Sequence, residues 1–104
     1  MSNDLAIQVE DALRLVIDPE LGHDIVSLGL IYDIAIVDGA VCITMTATTP
    51  GCPAIGFLKD AVTLGVSGVP DVESVAVIVT FEPRWTPDRM DLAARTALGF
   101  AAVN

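Results

Sequence analysis

Asp38 and Gly39 separate two short runs in which apolar residues alternate with polar or small ones. A dipeptide of this type favours a two-residue turn whose twist matches that of paired strands. The sequence therefore predicts a hairpin of strands 31–37 and 40–48, in which the numbers of paired residues sum to 77. One face of this hairpin is apolar and is predicted to face the core; it carries Tyr32, Ile34, Ile36, Val41, Ile43 and Met45.

The opposite face of the hairpin is mixed, and such a face is either solvated or covered by a less apolar surface. It carries Asp33, Ala35, Cys42, Thr44, Thr46 and Thr48. Cys42 is predicted to lie opposite Ala35. Because no glycine, helix end or basic neighbour would activate its thiol, we interpret Cys42 as a structural strand residue that lies under the last helix or under a partner.

The remaining elements follow from apolar spacing and from the positions of proline and glycine. Helices are predicted over 4–17, 53–67 and 87–98, the last one capped by Thr86, with a strand over 72–81 and an irregular loop over 18–30. A lone hairpin is unstable, so its apolar face needs cover. We expect a single α/β (α+β) domain over 1–104, of order α-β-β-α-β-α, with the two main helices on one face of a mixed three-stranded sheet.

Composition excludes several classes of partner. The chain has 104 residues, a formal net charge of -9 and 53% apolar residues, which is enough for one hydrophobic core. Its few basic residues are scattered, so neither nucleic acid nor an anionic membrane surface is expected as a partner. The N-terminus lacks the positive region of a signal peptide, which predicts a cytoplasmic protein whose two cysteines are free or metal-binding.

Cys52 is the residue most suited to chemistry. It directly precedes Pro53, a favoured first residue of a helix, so Cys52 is predicted to cap the second helix. Free amide N–H groups and the positive end of the helix would then favour the thiolate, which is the nucleophilic and metal-binding form. Gly51 would let another molecule approach. The alternative is a buried cysteine that serves as a small apolar cap.

Other polar residues flank this position or lie in the first loop. The hydroxyls of Thr48 and Thr49 would donate to a bound anion or to the Cys52 sulfur, although strand propensity and turn chemistry alone also explain threonines here. The first loop contains four side chains of the kind that bind harder metals, in a spacing that matches no standard metal motif. They are Asp18, Glu20, His23 and Asp24; Asp18 before Pro19 is also typical of a turn.

Trp85 follows the last strand. It is expected to pack over the mixed face of the sheet, or else to stand out as an anchor for a partner.

Four segments together resemble the iron–sulfur cluster assembly domain superfamily, and more narrowly its SufT-like and PaaD-like group of metal–sulfur cluster biosynthesis proteins. They are D-P-E-L-G at 18–22, S-L-G-L-I-Y-D at 27–33, T-T-P-G-C-P at 48–53 and P-R-W-T-P-D-R-M at 83–90. The resemblance covers about residues 5 to 95. It implies a compact α/β domain, a metal-ligating Cys52 with Thr48 and Thr49 beside it, and Asp18 and Glu20 as further metal ligands. PaaD-like proteins carry a cysteine-rich C-terminal extension that this sequence lacks, which favours a general assembly factor.

Three functions compete at this point. The first is a non-enzymatic assembly or transfer factor that binds an iron–sulfur cluster transiently through Cys52 and passes it to apo-client proteins. A homodimer would supply missing ligands and cover the mixed sheet face. The second is an adaptor of the assembly machinery that binds no metal. The third, a cysteine enzyme, is disfavoured because there is no Cys-x-x-Cys pair and His23 is the only histidine available as a base.

Overall fold

The order of helices and strands along the chain is the predicted α-β-β-α-β-α. The computed structural model describes residues 2–48 and 54–99. Its elements are α1 (Ser2–Leu13), β1 (Ile31–Val37), β2 (Ala40–Met45), α2 (Ala54–Ser67), β3 (Ser74–Val79), a 3-10 turn (Pro87–Arg89) and α3 (Leu92–Ala97). None of the helices in these two ranges is both long and apolar enough to cross a bilayer.

The β1–β2 hairpin has the predicted register. Five consecutive pairs, from Asp33 with Thr44 to Val37 with Ala40, have residue numbers that sum to 77. Asp38 and Gly39 have φ angles of 50° and 84°. These positive angles are what a two-residue hairpin turn with the strand twist requires. The register shifts only near the start of β1, where an irregularity lies between Ile31 and Asp33 and the predicted sum no longer holds.

The third strand completes a mixed sheet of order β1-β2-β3. Strand β3 pairs with β2 in parallel, with Val41 beside Val75 and Met45 beside Val79. The two strands therefore end at the same edge of the sheet. Helix α2 makes the crossover between them and contacts both β3 and α1.

The hydrophobic core lies between one face of the sheet and the two main helices, as predicted, except that the irregularity at the start of β1 places Ile31 rather than Tyr32 against it. Residues from β2, α1, α2 and the loop before β1 form one cluster of fully or almost fully buried side chains. Its largest members are Val9, Leu13, Ile25, Leu28, Leu30, Val41, Ile43, Met45, Leu58, Val62 and Val66. Removal of apolar surface from water stabilises the fold by roughly 25 cal/mol per Å². The burial of these side chains is therefore the main force that holds the helices on the sheet.

The first helix is shorter than predicted. It ends at Leu13 rather than at residue 17. The amides of Leu15 and Val16 donate to carbonyl oxygens three residues back, at 3.1 Å each, which tightens the chain into a final turn. Ile17 then pairs with Asp24 in an isolated β-bridge. Val16 remains buried, with only 7% of its surface exposed, because the tightened turn keeps its side chain against the core.

The predicted last helix is two elements, not one. A 3-10 turn covers Pro87–Arg89, and Thr86 makes no side-chain capping bond there. The α-helix begins after Asp91, whose Oδ1 accepts from the Ala94 amide at 2.8 Å. Asp91 is thus the cap, because its carboxylate satisfies an amide that the helix itself leaves unpaired. Gly99, with φ at 82°, follows the helix end as predicted.

Candidate functional site

Thr48 lies just after the end of β2, the central strand, where backbone hydrogen bonds still fix the chain. The Thr46 amide donates to the Leu30 carbonyl oxygen at 2.8 Å, and Thr46 itself is fully buried. The Thr80 amide donates to the Met45 carbonyl oxygen at 2.9 Å, which continues the β2–β3 pairing by one bond. Thr48 is half-buried two residues beyond this anchored point. The carboxyl end of β2 therefore holds Thr48 at the edge where β3 also ends.

A pocket of about 220 Å³ opens at this edge. It is formed by the residues that follow the two parallel strands, and it is lined by Ala47, Thr48, Phe81, Glu82, Arg84 and Trp85. Crevices at the carboxyl ends of parallel strands are favoured ligand sites in α/β folds. The exposed Arg84 gives this wall a cation, in a chain with only five lysines and arginines in total.

Trp85 is fixed against the body of the protein. Its Nε1–H donates to the carbonyl oxygen of Leu28 at 2.8 Å, and its ring packs against the core cluster. It is half-buried, so it does not stand out as an exposed anchor for a partner. The middle of the mixed sheet face is open, since Ala35 and Ala76 are exposed and Ile78 is 52% exposed.

Asp18 organises the first loop. Its Oδ1 accepts from the amide of Glu20 at 2.7 Å and from the amide of Leu21 at 3.3 Å. Its own amide donates to the carbonyl oxygen of His23 at 2.9 Å, and the residue is only 2% exposed. Buried carboxylates are stable when hydrogen bonds compensate the lost water, and two amides do so here. The turn that the Asp18-Pro19 sequence predicts is therefore present.

The other polar residues of this loop do not join Asp18 in a compact ligand set. The Asp24 side chain forms a hydrogen bond within the loop, because its Oδ2 accepts from the Ser27 amide at 2.9 Å. Glu20 is exposed and His23 is half-buried. Within residues 2–48 and 54–99, no three histidine, cysteine, aspartate or glutamate side chains come together as metal ligands would. The roles of Asp18 and Glu20 as metal ligands remain predictions.

Cys52 and Thr49, together with Pro53, lie outside the described residues, so their predicted roles also remain predictions. Cys42 is half-buried on β2, opposite Ala35 on one side and Ala76 on the other, and it is a free thiol. Its place in the sheet is the one the hairpin register predicts.

The pocket beside Thr48 includes residues that the sequence did not single out, namely Phe81 and Glu82, and it gives Arg84 a position. The topology of the sheet predicts that these residues lie near Thr48. A parallel crossover brings the ends of β2 and β3 to one edge, so the residues after β3 must lie beside those after β2. The sequence predicts both strands and the helix between them, and a parallel crossover through that helix brings these residues together.

Comparison with known proteins places this geometry in a family. Residues 7–79 match the model of a family described as iron–sulfur cluster assembly protein. The chain is 42% identical, over 95% of its length and 98% of the relative, to the Fe-S protein maturation auxiliary factor YitW of Bacillus subtilis. It is 41% identical, over 84% of its length, to 24% of the iron–sulfur cluster carrier protein of Synechocystis.

A solved structure agrees with these sequence matches. The crystal structure of a domain of unknown function, DUF59, from Bacillus anthracis superposes with a TM-score of 0.87 and 40% identity, covering 93% of each chain. Likeness in sequence and in fold thus extends over almost the whole chain. The protein belongs to the iron–sulfur cluster assembly family.

Proposed function

We propose that this protein helps to mature iron–sulfur proteins by holding a cluster transiently and passing it to apo-clients, without turnover of its own. The observation that carries the proposal is the family match over residues 7–79, which spans the segments containing Asp18, Glu20, Thr48 and Cys52. The names of the Bacillus subtilis maturation factor and the Synechocystis cluster carrier point to the same activity. The cluster is the cargo of this activity.

The chemistry of the proposed site is ligand exchange at one sulfur. A thiolate at Cys52 suits iron, which prefers soft ligands in clusters. Protein-bound clusters usually have four cysteine ligands. One cysteine from this chain leaves positions for a second chain, for a small thiol, or for carboxylate oxygens such as that of the exposed Glu20. Incomplete ligation of this kind makes a cluster labile, which favours donation over storage.

The pocket beside Thr48 would serve this exchange by its shape and charge. Ligands that complete an iron–sulfur site are anionic thiolates or carboxylates, and the exposed Arg84 lies in the pocket wall. A guanidinium binds a carboxylate in a two-pronged geometry. We infer that Thr48 and Arg84 bind an anionic group of the client or of a small thiol in this pocket.

Anaerobic reconstitution tests the proposed function. The purified protein is incubated with ferrous iron, sulfide and a reductant, desalted, and assayed for iron, for acid-labile sulfide and for visible absorption. We expect bound iron and sulfide with charge-transfer absorption, followed by transfer to apo-aconitase that regains activity. Iron that stays on the protein in the presence of apo-aconitase would contradict a donor role.

The acidic surface favours a second candidate, an adaptor that contacts clients or the assembly machinery and binds no metal. A net charge of -9 steers basic partners toward the chain. Reconstitution separates the two, because an adaptor acquires no iron and shows no visible absorption. The cytoplasmic location and the homodimer predicted from the sequence remain predictions under either candidate.

Substitutions at the first loop separate a turn-forming role from a ligand role. In Asp18→Asn the side-chain oxygen that accepts from the Glu20 and Leu21 amides is retained while the charge is lost. We expect a stability change below about 1 kcal/mol for Asp18→Asn, against a loss of about 1–3 kcal/mol for Asp18→Ala, which removes the acceptor of two partly buried amides. Urea unfolding measures both.

Iron retention of the same variants tests the ligand assignment. If Asp18 and Glu20 bind the cargo, Asp18→Asn and Glu20→Gln will retain less iron than wild type at unchanged stability, since an amide oxygen is a weaker iron ligand than a carboxylate. Full iron retention by Asp18→Asn would leave Asp18 with the turn as its only role.

A further inference from the structure

The outer edge of β1 is open for pairing. The sheet order β1-β2-β3 makes β1 an edge strand, and within the described residues no other strand pairs with its outer side. Half of the backbone N–H and C=O groups of such a strand point away from the sheet and form a template for another extended chain. The strand reads Ile-Tyr-Asp-Ile-Ala-Ile-Val, with six residues of apolar or aromatic type and a single charge.

Near the start of β1 the side chain of Tyr32 is fixed by contacts with the segment that follows β3. The hydroxyl of Tyr32 donates to the carbonyl oxygen of Pro83 at 2.7 Å. The Arg89 guanidinium lies 4.6 Å from the centre of the Tyr32 ring. From Asp33 to Val37 the residues alternate between exposed and half-buried, as they do on a strand whose one face meets the core.

A pocket of about 290 Å³ runs along this edge. It is lined by four consecutive strand residues, 31–34, together with Glu10 of α1 and Val26 of the preceding loop. Asp33 and Ile34 lie beyond the irregularity in β1 and point to opposite faces of the sheet, so a pocket that contacts both lies along the edge and not on one face. Strand addition uses such pockets to hold alternate side chains of the added segment.

The charge of this edge specifies the occupant. Glu10 and Asp33 are both exposed carboxylates beside the pocket, and neither forms an ion pair within residues 2–48 and 54–99. Asp33 lies on the outer face of the sheet and Glu10 on the side of α1, so an incoming strand with lysine or arginine at adjacent positions, one for each face, would pair with both. A second copy of this chain would bring the same two carboxylates and another net charge of -9 to the edge, and like charges across paired strands are destabilising.

We infer that the outer edge of β1 is a docking site for an extended, positively charged segment of another protein, which adds to the sheet as a fourth strand. Backbone hydrogen bonds to β1 supply the affinity, and Glu10 with Asp33 selects basic side chains. This site lies on a different strand from the pocket beside Thr48, and it does not depend on cluster binding. It would hold a partner at the sheet without involving Cys52.

A labelled peptide that repeats Lys-Lys-Val twice, and so presents lysine on both faces of an added strand, is the probe for this site, with fluorescence anisotropy as the measurement. We expect saturable binding to the wild-type protein at 0.05 M salt. The control is a peptide of the same sequence with N-methyl groups on alternate residues. It keeps every side chain but lacks the backbone N–H donors along one edge, so it cannot pair with β1 through that edge. We expect it to bind at least about tenfold more weakly. Hydrogen–deuterium exchange should show that the unmethylated peptide protects amides of β1.

Charge variants of the protein complete the test. Reversal of both carboxylates in Glu10→Lys/Asp33→Lys should weaken peptide binding about tenfold. The matched control Asp60→Lys/Asp88→Lys changes the net charge equally at exposed positions elsewhere and should change binding less than about twofold at 0.15 M salt.

Several results would overturn this assignment. They are the absence of saturable peptide binding, equal binding of the methylated and unmethylated peptides, equal losses in the two charge variants, and peptide protection that falls on β3 or the helices. Protection of β1 that rises with protein concentration in the absence of peptide would make a second copy the occupant.

Discussion

Replacement of Cys52 by serine is expected to reduce the iron and sulfide retained after anaerobic reconstitution at least about tenfold, and to abolish transfer to an apo-client. A serine hydroxyl is not ionised near neutral pH and is a harder ligand than a thiolate, so it does not replace sulfur at iron. The substitution removes one atom type and keeps nearly the same size. Circular dichroism of the variant checks that the fold is retained.

The second cysteine provides the matched control. Cys42→Ser makes the same chemical change on β2, between Ala35 and Ala76, where the thiol is half-buried. We expect Cys42→Ser to retain iron as wild type does. Equal loss of iron in both variants would show that iron binds to either thiol without selectivity. Full retention of iron in Cys52→Ser would remove Cys52 from the proposed site.

A third pattern would favour the adaptor. If the wild-type protein acquires no iron and Cys52→Ser still fails to support client maturation, the cysteine contributes to contact with a partner rather than to metal binding. Client maturation assayed in a cell extract, alongside iron counting on the purified protein, distinguishes this from the transfer activity.

Local sequence signals are sufficient for the hairpin. The turn at Asp38 and Gly39 fixes which residues pair, and a shift by one residue would turn the face with Ile43 to solvent, so the register is strongly determined. The crossover through α2 leaves only one common handedness for β3 beside β2. These two rules give the pairing of β1 with β2 and the side of the sheet on which α2 lies, whereas the place of β3 beside β2 comes from the structure.

Helix ends were less predictable because competing contacts set them. The apolar spacing of α1 continues to Val16, yet the backbone leaves the helix at Leu13 and pairs Ile17 with Asp24. At the other end of the chain, Thr86 and Asp91 both suit a cap, and only Asp91 is followed by a regular helix. Which of two suitable caps is used depends on tertiary packing, since the Asp91 amide donates to the carbonyl oxygen of Ser27 at 2.8 Å.

For the candidate site, the sequence identified residue types but not their surroundings. The sequence allows two roles for Asp18, a turn former and a metal ligand, and the structure shows that its side chain holds the loop through two amides. Thr48 and Arg84 are 36 residues apart in the sequence. They line one pocket because β2 and β3 end at the same edge of the sheet. Spacing within one segment cannot report such a contact.

Substitution of Gly29 by alanine is expected to lower the free energy of unfolding by about 2–4 kcal/mol. Gly29 has a φ angle of 75°, which costs a residue with a Cβ about 1 kcal/mol. A Cβ there would also overlap the carbonyl group and Cβ of Arg89. Since overpacking typically costs 1–3 kcal/mol, the loop that precedes β1 and the 3-10 turn would have to separate. Urea unfolding followed by circular dichroism measures the loss.

Gly22→Ala isolates the backbone part of this effect, the cost of the positive φ angle. Gly22 has a similar φ angle of 71°, but a Cβ built there would have no atom within 4 Å. We therefore expect a loss of only about 1 kcal/mol for Gly22→Ala, so the difference between the two variants measures the contact with Arg89. Equal losses would mean that the segment from Pro87 to Asp91 moves away at no cost. In that case its packing on the loop would not help to position Trp85 beside Thr48.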